Sequence, residues 1–292
     1  MRRLLALLLV IPAVLTAAAG EDEIEIEELL LIPVVDDYDP LWTFPVALED
    51  MRPDYIRLAN KHYLLESDYV PEDLVKLPQD PDKGASKGGV RWDGSQKDGK
   101  LNGQYLRAEC AQALLDMNAV MREMADAKEK GWKVMYVKSA YRSYSKQDSM
   151  YGNRLEANHG KDDGWVAKPG TSDHQTGLGV DFIPYNWAKK SGYKGGMNSK
   201  MAKEVACQWM AEHCQEYGFI IRYPEDKQEI TEINYEPWHL RYVGIPVATY
   251  IMENGLCLEE FTEALQKAIE EYIAQGGDPA KVEAYIQKPT DK

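Results

Sequence analysis

Apolar positions recur every three to four residues through one long stretch, 105–130. Leu106, Cys110, Leu114, Met117, Met121 and Met124 form a single stripe there. That period predicts a helix with one face on a core, and Gly131 supplies its stop. Trp132 to Lys138 reads as a strand that delivers Ser139-Ala140-Tyr141-Arg142-Ser143 into a polar turn. A second helix is predicted from about Ser145 to Asn158, and a third over 200–217, stopped by Gly218. Phe219 to Tyr223 and Ile230 to Tyr235 are strand-like, and helical patterns return at 245–254 and 259–275. Gly276-Gly277-Asp278-Pro279 breaks the last of these. Asp278 can then cap a short terminal helix with Pro279 at its first position. No internal repeat is present. This order predicts an α+β fold, a small and mostly antiparallel sheet flanked by helices.

The remaining stretches carry less pattern. Arg2 and Arg3, the apolar run Leu4 to Leu15 and Ala17-Ala18-Ala19 make residues 1–20 a secretory signal peptide. The run is short for a membrane span and is broken by Pro12, so no stable span is expected after cleavage. Residues 21–54 are acidic, then rich in Pro, Asp and aromatics, and read as a linker or an extended arm laid over the domain. Residues 80–104 are rich in Gly and Lys, the composition of a surface loop.

Composition narrows the function classes. A chain of 292 residues can bury a sizeable core. Its formal net charge of -14 argues against nucleic acid and anionic membranes as partners. Export would permit disulfides among Cys110, Cys207, Cys214 and Cys257. Cys207 and Cys214 lie two helical turns apart, about 10 Å, too far to bridge directly. Several of the four are therefore expected to be small buried hydrophobes.

The chemistry gathers in two segments. Residues 169–181, Pro-Gly-Thr-Ser-Asp-His-Gln-Thr-Gly-Leu-Gly-Val-Asp, place His174 and Asp181 seven apart with Gly177 and Gly179 between them. An imidazole nitrogen and a carboxylate oxygen both suit zinc, and the glycines let the backbone turn tightly. Residues 236–242, Glu-Pro-Trp-His-Leu-Arg-Tyr, add His239 three residues after Glu236, with Pro237 opposing a helix. Two His and one Asp with an open position make a catalytic rather than a structural zinc set. Glu236 is then the non-ligating carboxylate that takes a proton from the attacking water. The isolated His62, His159 and His213 are read as surface or structural.

Four segments together resemble the VanY-type D-alanyl-D-alanine carboxypeptidases, zinc peptidases of peptidoglycan stem peptides. They are SAYRSYSKQ (139–147), PGTSDHQTGLGVDF (169–182), YGFIIRYPEDK (217–227) and EPWHLRYVG (236–244). The resemblance implies a single zinc-peptidase domain over 55–262, followed by a helical tail at 263–292. It implies Zn2+ on His174, Asp181 and His239, Glu236 as general base, and Arg142 on the oxyanion or the substrate carboxylate. Gln147, Ser172, Tyr141 and Trp238 fall where the family contacts substrate. Asp173 stands where Glu is common, Gly179 where Ala is common, and residues 231–234 lack a Gly often seen after that Thr. The implied protein is a monomer of the cell envelope that removes a terminal D-alanine. Cleavage of an L,D or internal stem-peptide bond, or wall binding without catalysis, are the alternatives.

Overall fold

The computed structural model describes residues 39–79, 89–92, 97–126, 134–185, 187 and 197–290. In chain order the elements are β1 (Leu74–Lys76), β2 (Arg91–Trp92), β3 (Lys97–Asp98), β4 (Leu101–Asn102), β5 (Tyr105–Arg107) and α1 (Ala108–Asp126). Next come β6 (Met135–Ser139), α2 (Tyr144–Ala157), β7 (Gly179–Pro184), α3 (Val205–His213), β8 (Phe219–Ile221) and α4 (Gln228–Thr231). The chain closes with β9 (His239–Tyr242), α5 (Ile245–Glu253), α6 (Leu258–Ala274) and α7 (Pro279–Val282). The expected signal peptide, the start of the arm and Gly131 lie outside the described residues.

The five-stranded sheet has the order β2-β6-β7-β9-β8. Its β2–β6 pair is parallel and its other pairs are antiparallel, so the expected α+β architecture holds. One core packs this sheet against α1 and α3, joining Leu114, Met117 and Met210 to Val137, Phe182 and Leu240. A second core gathers Ile220 and Val243 with Val247, Ile251, Phe261, Leu265 and Ile269 of α5 and α6. Among the described residues no helix is long and apolar enough to cross a membrane.

The helical stripe is buried as expected through Met121, but its first turn is a strand. Tyr105–Arg107 pairs antiparallel with β1, so Leu106 enters the core from an extended backbone. The expected helix over 200–217 is interrupted at Glu204. Its backbone is extended (ψ 134°), and its carboxylate accepts the Trp187 indole N–H at 2.7 Å. The strand expected at 230–235 does not form. Residues 228–231 make one helical turn instead, which Glu232 ends at φ 57°. That left-handed backbone breaks an extended run, and it falls where the resembled family often carries Gly. The four cysteines are free and buried, and burial pushes the thiols of Cys207, Cys214 and Cys257 up to about 12.

The described part of the arm, residues 39–54, lies over the domain, one of the two arrangements expected of it, and residues 55–58 continue the packing. Trp42, Val46, Met51, Ile56 and Leu58 join the second core. Trp42 donates its indole N–H to the Val46 carbonyl at 2.9 Å and meets the Tyr272 ring edge-on at 5.7 Å. At the other end, α6 runs through the boundary expected at 262, and Gln287 donates to the Ile56 carbonyl at 3.1 Å. Asp278 caps α7 by accepting from the Ala280 N–H, as its sequence position suggested. Trp42→Ala should cost about 3–5 kcal/mol of stability, the range for emptying a buried aromatic site. Chemical denaturation would show it; an unchanged midpoint would leave the arm outside the cooperative unit.

Candidate active site

His174 sits in a tight 3-10 turn, Asp173–Thr176, that runs into β7. Gly177 closes this turn at φ 69°, and a Cβ there would lie 2.9 Å from Leu74 Cδ2, so Gly answers both demands. Asp181 follows on β7, and His239 opens β9 as its Cα partner across the sheet. The strand register therefore brings together two residues 58 positions apart. Segment 140–142 is tied to the same turn twice. His174 Nδ1 lies 2.7 Å from the Ala140 carbonyl, and the Arg142 N–H donates to the His174 carbonyl at 3.1 Å.

These distances test whether the residues suit a metal. A carbonyl only accepts, so His174 carries its proton on Nδ1 and presents a lone pair at Nε2. That lone pair faces Asp181 Oδ2 at 3.4 Å, two acceptors pointed at each other. His239 Nδ1 lies 3.1 Å from Asp181 Oδ1 and 3.5 Å from Glu236 Oε2. One donor atom from each of His174, Asp181 and His239 lies within 4.8 Å of the others, and all three residues are buried. A cation between them resolves the clash of lone pairs. An N, N, O donor set with open positions fits zinc.

Electrostatics divides the two carboxylates. Burial opposes charge at Asp181, yet His174 and His239 hold its carboxyl well below the usual range. Burial and the Asp181 charge push Glu236 well above it, against the pull of Arg142. Burial and the Arg142 charge lower the His174 imidazole to about 4, the neutral form a metal requires. One carboxylate is thus suited to ligation and the other to carrying a proton.

Arg142 is braced rather than mobile. Nη1 donates to Gln147 Oε1 at 2.6 Å and Nη2 to Ser139 Oγ at 2.9 Å, while Nη2 stays 4.0 Å from Asp181 Oδ2. Gln147 Nε2 in turn donates to the Ala167 carbonyl at 2.6 Å. Ser143 caps α2, and its own N–H and hydroxyl both donate to Asp98 at 2.6 Å. Where a surface loop was expected, the short β3–β4 pair forms, and Asp98 of β3 supplies the carboxylate behind the Arg142 turn.

A cavity of about 170 Å³ opens onto these groups. Glu236, Arg142, the three candidate ligands, Gln147, Ser172 and Trp238 all line it, whereas Tyr141 does not. Tyr141 is buried in the core instead, and its backbone N–H donates to the Tyr105 carbonyl at 2.8 Å. The sequence reading missed Tyr223, whose ring centre lies 5.0 Å from that of His239. It also missed an apolar wall of Met150, Trp165, Val166, Met197 and Ile233. Tyr223 stands in the conspicuous segment 217–227, but no spacing there announces a site. His62, His159 and His213 are not among the lining residues.

The family model for VanY, D-alanyl-D-alanine carboxypeptidase, matches residues 103–245. The YodJ protein of Bacillus subtilis (strain 168) is 36% identical over 213 residues, 73% of this chain and 68% of that one. The chain belongs to the VanY D-alanyl-D-alanine carboxypeptidase family. It is a peptidase, and two solved structures of VanY-like proteins carry the comparison to the fold. The LdcB LD-carboxypeptidase superposes with a TM-score of 0.56 at 36% identity, covering 72% of this chain and 87% of LdcB. A vancomycin-resistance D,D-pentapeptidase VanY, solved with Zn(II), gives a TM-score of 0.50 at 30% identity, covering 71% of this chain and 98% of that one.

Proposed function

We propose that this chain is an exported, zinc-dependent carboxypeptidase that removes the terminal D-alanine from peptidoglycan stem peptides ending in D-Ala-D-Ala. The observation that carries the reading is the convergence of His174, Asp181 and His239 with Glu236 and Arg142 on one cavity of a VanY-family chain. A protein that only bound wall peptide would have no use for a buried carboxyl pushed toward the protonated form beside the ligand set. Export to the cell envelope rests on the signal-like pattern of residues 1–20.

His174, Asp181 and His239 hold the zinc, which when bound supplies Lewis acidity at the scissile carbonyl and toward water. Glu236 accepts a proton from the attacking water at a carboxylate oxygen and returns it to the departing D-alanine amine. Arg142, fixed by Gln147 and Ser139, offers positive charge where the carbonyl oxygen becomes negative. The apolar wall of Met150, Val166 and Ile233 excludes water beside the alanine methyl groups. Trp238 has a buried indole N–H with no partner among the described residues, a donor left for the peptide.

The test is mass-spectrometric product analysis of the purified, zinc-loaded protein with a chelator control. Substrates are a muramyl pentapeptide ending in D-Ala-D-Ala and the matching tetrapeptide. Chelator-sensitive loss of one alanine from the pentapeptide alone is expected. A second reading, L,D cleavage, is favoured by the greater identity to the LD-carboxypeptidase, 36% against 30%. Loss of alanine from the tetrapeptide would establish that reading instead. Zinc-loaded protein that cleaves neither peptide would overturn both.

A further inference from the structure

Behind His239, on the side away from Asp181, the protein buries three charged side chains completely: Asp173, Arg222 and Arg241. Arg222 Nε donates to Asp173 Oδ2 at 2.7 Å, and Arg241 Nη1 donates to Asp173 Oδ1. The guanidiniums are fastened outward as well. Arg222 donates to both oxygens of Glu259 at 2.7 and 2.6 Å, and Arg241 to the Tyr55 and Arg57 carbonyls at 2.8 and 2.7 Å. Asp173 is therefore held from two sides by groups anchored in α6 and on the backbone of residues 55 and 57. Its Oδ2 stands 4.0 Å from His239 Nε2, a buried atom with no hydrogen-bond partner among the described residues. Burying such charges costs desolvation, and apolar residues of equal volume often stabilise a fold as well. What they cannot do is present a fixed carboxylate to the far nitrogen of a ligating imidazole.

A second observation concerns space. Gly179 opens β7 as the Cα partner of Arg241, and a Cβ there would lie 2.9 Å from both the backbone carbon and the Cβ of Asp173. Its own φ does not demand glycine, so the demand is steric. The short side chain at 173 and the missing one at 179 thus belong to one fitted pair.

We propose that Asp173 is a positioning residue that orients His239 for the metal, and that Gly179 sets how closely Asp173 approaches. The inference rests on the zinc-peptidase reading and adds the group that aims one of its ligands. Asp173 touches neither substrate nor the reacting atoms; it acts through the imidazole. The Arg222–Glu259 fork makes the start of α6 part of the same support.

The decisive measurement is zinc affinity of the full chain by competition with a chromophoric chelator, with circular dichroism to confirm folding. Asp173→Asn is expected to weaken zinc roughly 10–100-fold, the usual effect of removing such an outer carboxylate. Gly179→Ala, which pushes Asp173 back, should weaken it about tenfold. Asp173→Glu in the Gly179→Ala background should recover affinity to within about threefold of the unaltered chain, because the longer side chain spans the widened gap. A purely structural role would lower melting temperature and leave the affinity of the folded protein unchanged. Folded Asp173→Asn with unaltered zinc affinity would overturn the proposal. Should that variant fail to fold, additive rather than compensating effects in the Gly179→Ala and Asp173→Glu cycle would overturn it. An unaltered chain that binds no zinc would sink the zinc reading and this one together, whereas normal binding with indifferent variants would sink this one alone.

Discussion

Glu236→Gln is expected to lower kcat/KM on a D-Ala-D-Ala pentapeptide by about 10²–10⁴-fold, the range that general acid–base groups contribute. Zinc affinity should change little. The amide keeps the volume of the carboxyl and leaves His174, Asp181 and His239 in place, but it cannot accept the water proton. Glu236 is buried beside Asp181, whose charge together with desolvation drives its carboxyl upward. Ionised, Glu236 is therefore a stronger base than an exposed glutamate, and protonated, it is a donor at the departing amine. The amide removes a negative charge beside the ligand set, so any change in metal binding should be toward weaker. Steady-state kinetics beside chelator competition separates the two effects. Full turnover by the zinc-loaded variant would remove Glu236 from proton transfer.

Arg142→Ala should reduce kcat by about 10²–10³-fold, the loss typical of deleting one oxyanion donor. The guanidinium is held by Gln147 and Ser139 before any substrate arrives, so little reorganisation precedes its use. Arg142→Lys should recover only part of the loss. A lysine ammonium lacks the planar fork that reaches Gln147 Oε1 and Ser139 Oγ at once. Truncation also strips Gln147 Oε1 of its 2.6 Å donor, so the Ala167 wall should loosen and KM should rise with it. A fall in kcat with KM unchanged would assign Arg142 to the transition state alone. A rise in KM with kcat unchanged would move it to holding the substrate carboxylate.

The candidate ligands were legible because their segments carry their own grammar. His174 and Asp181 are separated by a turn that Gly177 closes, and Pro237 keeps 236–239 from becoming a helix. The helices α1, α5 and α6 were legible for a similar reason: their apolar period survives in the final packing. Where the reading failed, tertiary contacts had overruled a local preference. Leu106 looked like the first residue of a stripe, yet pairing with β1 stretched it into a strand. Ile230 to Tyr235 carries β-branched and aromatic residues, yet Glu232 turns left-handed and the run never extends. Residues 39–54 were legible only as part of a linker or an arm laid over the domain, because their apolar residues follow no period. They are buried all the same, since an irregular segment can fill a groove between α5 and α6 without one.

Site support was the least visible part. Tyr141 and Gln147 stand six residues apart in one motif, and nothing in their order says that only Gln147 reaches the cavity. Asp98 lies in a glycine-rich stretch, Tyr223 two residues beyond β8, and Glu259 at the start of α6. Each becomes meaningful only when the sheet and second core bring it to Ser143, His239 or Arg222.

By itself the sequence determined which atoms are offered to a metal, which carboxylate stays out of the ligand set, and the period of the helices that build the cores. Tertiary structure alone decided that Asp181 and His239 face each other across β7 and β9, and that Arg142 is braced from behind. It also decided that Asp173 is locked between two arginines. Side-chain chemistry and turn preference are local and can be read along the chain. Strand register, burial and the direction of a side chain depend on residues far away in sequence, so only the folded molecule fixes them.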